Sequence, residues 1–198
     1  MDRKELSEVY SYAYTAPIPG KGLYGWGSNR DGLFIKWISA NLPPGLSVFE
    51  AGCGRGLVLK WLLASGYQAE GIDIADSLFE PGGDLYNQPA KKMFIEDLHQ
   101  IESDSFDVTI SNDVLEHMLT EEIAIQAVSD LVRISRRWVL LSVAVRAAAW
   151  PFANYRGFKP HTTIRAPSWW LDLFRTHCDV LTDDMAGGTY LLFGTKRK

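Results

Sequence analysis

Cysteine is scarce: Cys53 and Cys178 are the only two in 198 residues, far apart, with no Cys-x-x-Cys pair. That excludes a disulfide framework and a cysteine-based metal site, and it fits a reducing cytosol. Long apolar runs are missing too, and none reaches the length that spans a membrane. The start, Met1-Asp-Arg-Lys-Glu-Leu6, is charged where a secretory signal carries an apolar core. Positive charge is not in excess. With 20 Lys and Arg against 24 Asp and Glu, the formal charge is -4, which favours neither a nucleic-acid backbone nor an anionic membrane as partner. Internal repeats and low-complexity tracts are lacking as well. The expectation is a soluble cytoplasmic protein, with a homodimer as an alternative to a monomer.

What is present is a core. Hydrophobic residues make up 46% of the chain, enough to bury one α/β domain with little room for a second. The expected organisation is a single domain over 1–198. An N-terminal lid or helical segment covers 1–44, and a catalytic core covers 45–198 with a substrate-side insertion at 146–166. β-type and helical periods alternate, as in an open parallel sheet. Strands are predicted near 46–51, 69–74, 92–96, 106–111, 138–145, 178–183 and 189–195, the last two joined by a glycine-bearing hairpin connection. Helices are predicted at 31–42, 57–65, 120–134 and 167–176, with Thr120 as a cap.

The first strand runs into Glu50-Ala-Gly52-Cys53-Gly54-Arg-Gly56, and the second ends in Gly71-Ile-Asp73-Ile74. Glycines at alternate positions let the backbone turn sharply and approach a ligand. An acid about 20 residues further on falls at the tip of the adjacent strand, where its carboxylate can accept from a ribose diol. The pair reads as a nucleoside-cofactor site. The loop is not Gly-x-Gly-x-x-Gly, the spacing that offers a helix N-terminus to a pyrophosphate, and Glu50 would repel that group. An acid there suits a cofactor carrying an amine or a sulfonium. The same glycines would also serve any tight strand-to-helix turn, with Cys53 as a small filler.

Over about residues 46–145 the chain resembles the class I S-adenosylmethionine-dependent methyltransferases. The resemblance rests on Val48-Phe-Glu-Ala-Gly-Cys-Gly-Arg-Gly56, Gly71-Ile-Asp-Ile-Ala75, Glu96-Asp97-Leu98 and Phe106-Asp-Val-Thr-Ile-Ser-Asn112-Asp-Val-Leu-Glu-His117. It implies an α/β Rossmann-like fold: a mostly parallel seven-stranded sheet with one antiparallel strand and helices on both faces. It also implies S-adenosylmethionine as cofactor and S-adenosylhomocysteine as product. Glu50, Gly52, Cys53, Gly54, Gly56, Asp73, Ile74, Asp97, Leu98 and Asn112 are then the expected cofactor residues. Among them Asp97 would accept from the adenine amine, Leu98 would offer its amide to the ring, and Asn112 would meet the methionine end. The alternatives are a capping role for Asp97 and a plain turn at Ser111-Asn112-Asp113.

His117 and His161 are the candidate catalytic residues. His117 follows the fourth strand, at the edge where open α/β sheets bind ligands, and its ordinary pKa suits taking a proton near neutrality. Packing, or positioning of the cofactor, is the other use of His117. No metal is expected, because no His/Asp/Glu cluster shows ligand spacing. Two aromatic-rich stretches, one with Tyr10, Tyr12, Tyr14, Tyr24 and Trp26 ahead of Arg30 and one from Arg146 to Arg165, are expected to wall the acceptor pocket. The second has no Asp or Glu between residues 146 and 171. It therefore suggests recognition of an anionic group through Arg156 and Lys159, although a cationic strip is also often only a solvated face. The expected activity is methyl transfer to a small or conjugated metabolite at O or N. The alternatives are a cofactor-binding module without turnover and an NAD-dependent oxidoreductase on a related sheet.

Overall fold

Short β-rich runs bounded by glycine and proline pair side by side here. The computed structural model describes residues 2–18, 22–24, 29–146, 159–186 and 188–197. Strands β1 (Ser47–Ala51), β2 (Gln68–Asp73), β3 (Ala90–Lys92), β4 (Phe106–Asn112), β5 (Ser135–Ala144), β6 (Cys178–Ala186) and β7 (Thr189–Lys196) form one sheet. Their spatial order is β3-β2-β1-β4-β5-β7-β6. β7 runs antiparallel to β5 and β6, and the other neighbours are parallel. The strand order reverses between β1 and β4, which opens a crevice at their carboxyl ends.

Side chains that alternate across the pleat divide the core in two. Val48, Ile110 and Leu140 face one side, where α1 (Arg3–Thr15), α2 (Asn29–Asn41) and α3 (Leu57–Ala64) pack through Val9, Phe34, Ile38 and Leu59. Phe49, Val139 and Leu141 face the other, covered by α4 (Glu121–Ile134) and α5 (Pro167–Arg175) through Val128, Leu131, Trp170 and Phe174. Thr120 caps α4, its hydroxyl accepting from the Ile123 amide at 3.4 Å. Among the described residues no helix is long and apolar enough to cross a membrane.

Two elements differ from expectation. The edge strand predicted at 92–96 lies at 90–92, because the Met93 amide already bonds to the Asp73 carbonyl at the end of β2. The chain then turns, and a 3-10 segment over Ile95–Gln100 buries Ile95 and Leu98 on one side, under α4. Helix α1 was not predicted as a separate element. It starts at a capping box, with the Asp2 side chain accepting from the Glu5 amide and Glu5 accepting from the Asp2 amide. It buries Leu6, Val9, Tyr10 and Ala13 at helical spacing.

Candidate active site

A cavity of about 630 Å³ occupies the crevice, lined by residues at the carboxyl ends of β1, β2, β4 and β5 and by α1. The glycine loop forms its floor. Gly52 and Cys53 donate their amides to the Ile72 carbonyl at 2.8 and 2.9 Å, which pins the turn to β2. Gly52 has φ +74°, and a Cβ there would lie 2.3 Å from Cγ2 of Val114. Gly54 has φ +51°, with the Tyr14 hydroxyl 3.0 Å from where its Cβ would be. Gly56 stands behind the wall as the first cap of α3. Cys53 lines the cavity, but burial, and then the neighbouring Glu50, push its thiol well up. Burial likewise takes Cys178 up to about 12, so neither cysteine is a thiolate nucleophile.

Asp73 is fixed at the tip of β2. Its Oδ2 accepts from the Gly54 amide at 2.9 Å and its Oδ1 from the Ala75 amide at 3.0 Å. Each oxygen retains a lone pair, so the carboxylate can take two more donors, such as a ribose diol. Burial raises its pKa against those hydrogen bonds. Glu50 is 3% exposed and lines the same cavity. Its Oε2 is buried without a hydrogen-bond partner among the described residues. Burial first, and then Asp31, hold its pKa well above the ordinary carboxylate range.

Asp31, in the first turn of α2, joins these acids in the cavity wall. Asn112 positions it: Nδ2 donates to Asp31 at 2.7 Å, while Oδ1 accepts from the Ser142 hydroxyl at 2.7 Å. Three carboxylates therefore line one region, and the guanidinium of Arg55, in the glycine loop, is engaged elsewhere. Arg55, 5% exposed, donates to the carbonyls of Tyr24 (2.6 Å) and Tyr14 and pairs with Asp84. A ligand bearing an amine or a sulfonium, with a diol alongside, fits this donor-poor, acid-rich region.

Beyond β4, a 3-10 turn at Leu115–His117 carries Glu116 and His117 into the wall. The strap at 160–163 is laced onto that turn. The Thr162 and Thr163 amides both donate to the Glu116 carbonyl at 3.0 Å, and their hydroxyls donate to the Met118 carbonyl at 2.5 and 2.7 Å. This brings His161 against His117, ring centroids 4.8 Å apart and nearly perpendicular. Nδ1 of His117 lies 3.0 Å from the Pro160 carbonyl and 2.8 Å from the Tyr10 hydroxyl. A carbonyl only accepts, so Nδ1 carries the proton and Nε2 the lone pair.

Not every expected residue reaches the wall. Ile74, Tyr24, Asn112 and His161 do. Asp97 instead pairs with Arg3 of α1, whose guanidinium also stacks 4.0 Å from the Phe94 ring, and Glu96 is the acid of that segment that lines the cavity. Leu98 is wholly buried under α4. Lys159 is exposed and outside the wall, and Arg165 is held by Glu121, Nε to Oε2 at 2.6 Å. Among the described residues, Arg146 is the cation of that strip that lines the cavity, packed on Gly188. Trp26, Arg156 and the Arg30 side chain lie outside the described residues. Asp31 and Glu96 were not singled out from the sequence as site residues, whereas Tyr10 and Tyr14, expected in the aromatic N-terminal wall, line the cavity.

A family model for a methyltransferase domain matches residues 26–185. No curated protein matches the chain. Among solved structures, the chain is similar to magnesium protoporphyrin IX methyltransferase from Synechocystis PCC 6803 with bound S-adenosylhomocysteine. That likeness has 22% identity and a TM-score of 0.70, and covers 99% of this chain and 100% of that one. The same enzyme with bound S-adenosylmethionine gives 22% identity and a TM-score of 0.67, covering 100% and 98%. A third similarity is to 1,6-didemethyltoxoflavin-N1-methyltransferase from Burkholderia thailandensis, at 15% identity and a TM-score of 0.61, covering 82% and 76%.

Proposed function

This chain belongs to the methyltransferase-domain family and is an S-adenosylmethionine-dependent methyltransferase, and we propose that its acceptor is a small or conjugated metabolite with an anionic group, methylated at oxygen or nitrogen. The observation that carries this reading is the separation of the Arg146 guanidinium from the acids at the tips of β1 and β2. Glu50 and Asp73 stand at the tips of β1 and β2, whereas His117, His161 and Arg146 stand beyond β4 and β5. A cationic cofactor belongs over the first pair, and an acceptor carrying a carboxylate or phosphate belongs beside Arg146, with His117 and His161 at its reacting end.

The cofactor supplies the methyl group as an electrophile on a sulfonium. The protein's share is placement and proton handling. Asp73 takes the ribose hydroxyls, and Glu50 and Asp31 face the amine and the sulfonium. Glu96, which lines the cavity, takes the adenine-side role expected of Asp97, which Arg3 already neutralises. Arg146 binds the acceptor's anionic group, and Nε2 of His117 receives the proton that the acceptor atom loses as its lone pair attacks. Holding nucleophile and methyl in line is itself a large part of such a rate enhancement. Tyr10 and Tyr14 of α1, together with Tyr24 beyond it, wall the cavity and keep water from the sulfonium. The setting is cytoplasmic, which two buried thiols support.

The test is transfer of labelled methyl from S-adenosylmethionine to matched pairs of hydroxy- and amino-acceptors with and without a carboxylate or phosphate. The methylated atom is then located by NMR. Labelling of the anionic members is expected. Labelling of neutral members alone, or of protein or RNA alone, overturns the acceptor class.

A further inference from the structure

We propose that Glu116, His117 and His161 form a site for one divalent transition-metal cation of the zinc type, facing the acceptor side of the cavity. One ligand atom from each of the three lies within 4.8 Å of the others. Nε2 of His117 is 3.9 Å from Oε1 of Glu116. Ligand atoms about 2.1 Å from a tetrahedral ion sit roughly 3.4 Å apart, so closing on an ion asks less than about 1 Å of each side chain. The donor set, two imidazoles and one carboxylate with a position open to the cavity, is that of catalytic rather than structural zinc chemistry.

The support around the rings is as specific as the ligands. Metal-bound imidazoles commonly donate their second N–H to a carbonyl or carboxylate, which fixes the tautomer and the ring direction. Both rings do so here: Nδ1 of His117 lies 3.0 Å from the Pro160 carbonyl, and Nδ1 of His161 lies 3.3 Å from the Arg146 carbonyl. Each ring is thereby set with Nε2 as its lone-pair nitrogen. The four hydrogen bonds from Thr162 and Thr163 to the Glu116–Met118 turn hold two segments more than 40 residues apart in one constellation. Neutral imidazoles alone attract a cation weakly. Glu116, fully buried at their side, supplies the anionic charge.

The proposal deepens the acceptor reading above and shares its site. A proton and a metal ion compete for the same Nε2 lone pair. With the ion bound, His117 is a ligand, and acidification of an acceptor hydroxyl held at the open position replaces proton removal by the ring. That favours an oxygen nucleophile.

The chain, stripped with chelator, is titrated with Co²⁺ in the absence of acceptor. One equivalent with visible ligand-field bands, displaced by Zn²⁺, is expected. His161→Ala and Glu116→Gln should each weaken Co²⁺ binding by at least about 100-fold, beyond the effect typical of an outer-shell partner, while S-adenosylhomocysteine binding by calorimetry persists. Glu116 is buried, and the more exposed His161 variant keeps the test sound if Glu116→Gln misfolds. Absence of stoichiometric Co²⁺ binding, or binding that survives His161→Ala, overturns the metal site. Methyl transfer that continues unchanged in the stripped protein would then leave the acceptor reading standing without it.

Discussion

The amide of Gly54 donates to Oδ2 of Asp73 across 2.9 Å, so the turn of the glycine loop and the acid at the tip of β2 are one unit. Asp73→Ala removes both the expected ribose acceptor and the brace of the loop. Loss of such charge-assisted hydrogen bonds should cost about 1.5–3 kcal/mol of cofactor affinity. That is an increase in Kd of roughly 10- to 150-fold, read by titration calorimetry with S-adenosylhomocysteine. A folded variant that binds as tightly as the parent contradicts the ribose assignment.

Glu50 sets a pH dependence. Its folded pKa is raised by burial and by Asp31, so the cofactor-free protein favours the protonated carboxyl. The stability this contributes is complete below the ordinary glutamate pKa and is lost as pH rises through the raised folded value. A cationic ligand favours the carboxylate, so S-adenosylmethionine binding should release a proton and tighten as pH rises through that same window. Calorimetry in buffers of different ionisation enthalpy measures the release. Glu50→Gln should abolish the release, weaken binding and raise the melting temperature of the cofactor-free protein at neutral pH.

At Gly52 two penalties combine. A positive φ costs an L-residue about 1–2 kcal/mol, and a Cβ would stand 2.3 Å from Cγ2 of Val114. Gly52→Ala should therefore lower the melting temperature and impair cofactor binding. Adding Val114→Ala should recover only part of the loss, because it removes the clash and leaves the backbone strain. Full recovery would mean that the conformation itself is not needed.

Arg146 and Lys159 separate cavity from surface. Arg146→Ala should raise the acceptor KM at least about 10-fold with cofactor affinity nearly unchanged, since it removes binding to a part of the acceptor that does not react. Lys159→Ala, on an exposed side chain outside the wall, should leave both constants within twofold. Steady-state kinetics with the labelled acceptor reads the difference.

The framework of this fold was legible because strands and glycine turns write short-range signals. Val48 and Phe49 sit on opposite faces as alternation demands, and Thr120 caps α4 where the sequence placed it. Glu50, Gly52, Gly54 and Asp73 reach the cavity because each is fixed by its own strand end. What failed to show was decided by long-range pairing. Asp97 reads as an available acid until Arg3, 94 residues away, takes it, and Arg165 reads as a free cation until Glu121 does. Asp31 carries no local mark, because the Asn112 side chain that aims it arrives from another strand. The grouping of Glu116, His117 and His161 was equally invisible. No spacing rule joins residues that meet only when the 160–163 strap is hydrogen-bonded to the β4 turn.

Arg55 lies between two glycines of the cofactor loop, yet its guanidinium grips the backbone of Tyr14 and Tyr24 in the N-terminal segment above. Floor and roof of the cavity thus share one side chain. Arg55→Ala would therefore unfasten the cover from the floor without altering a single glycine of the loop.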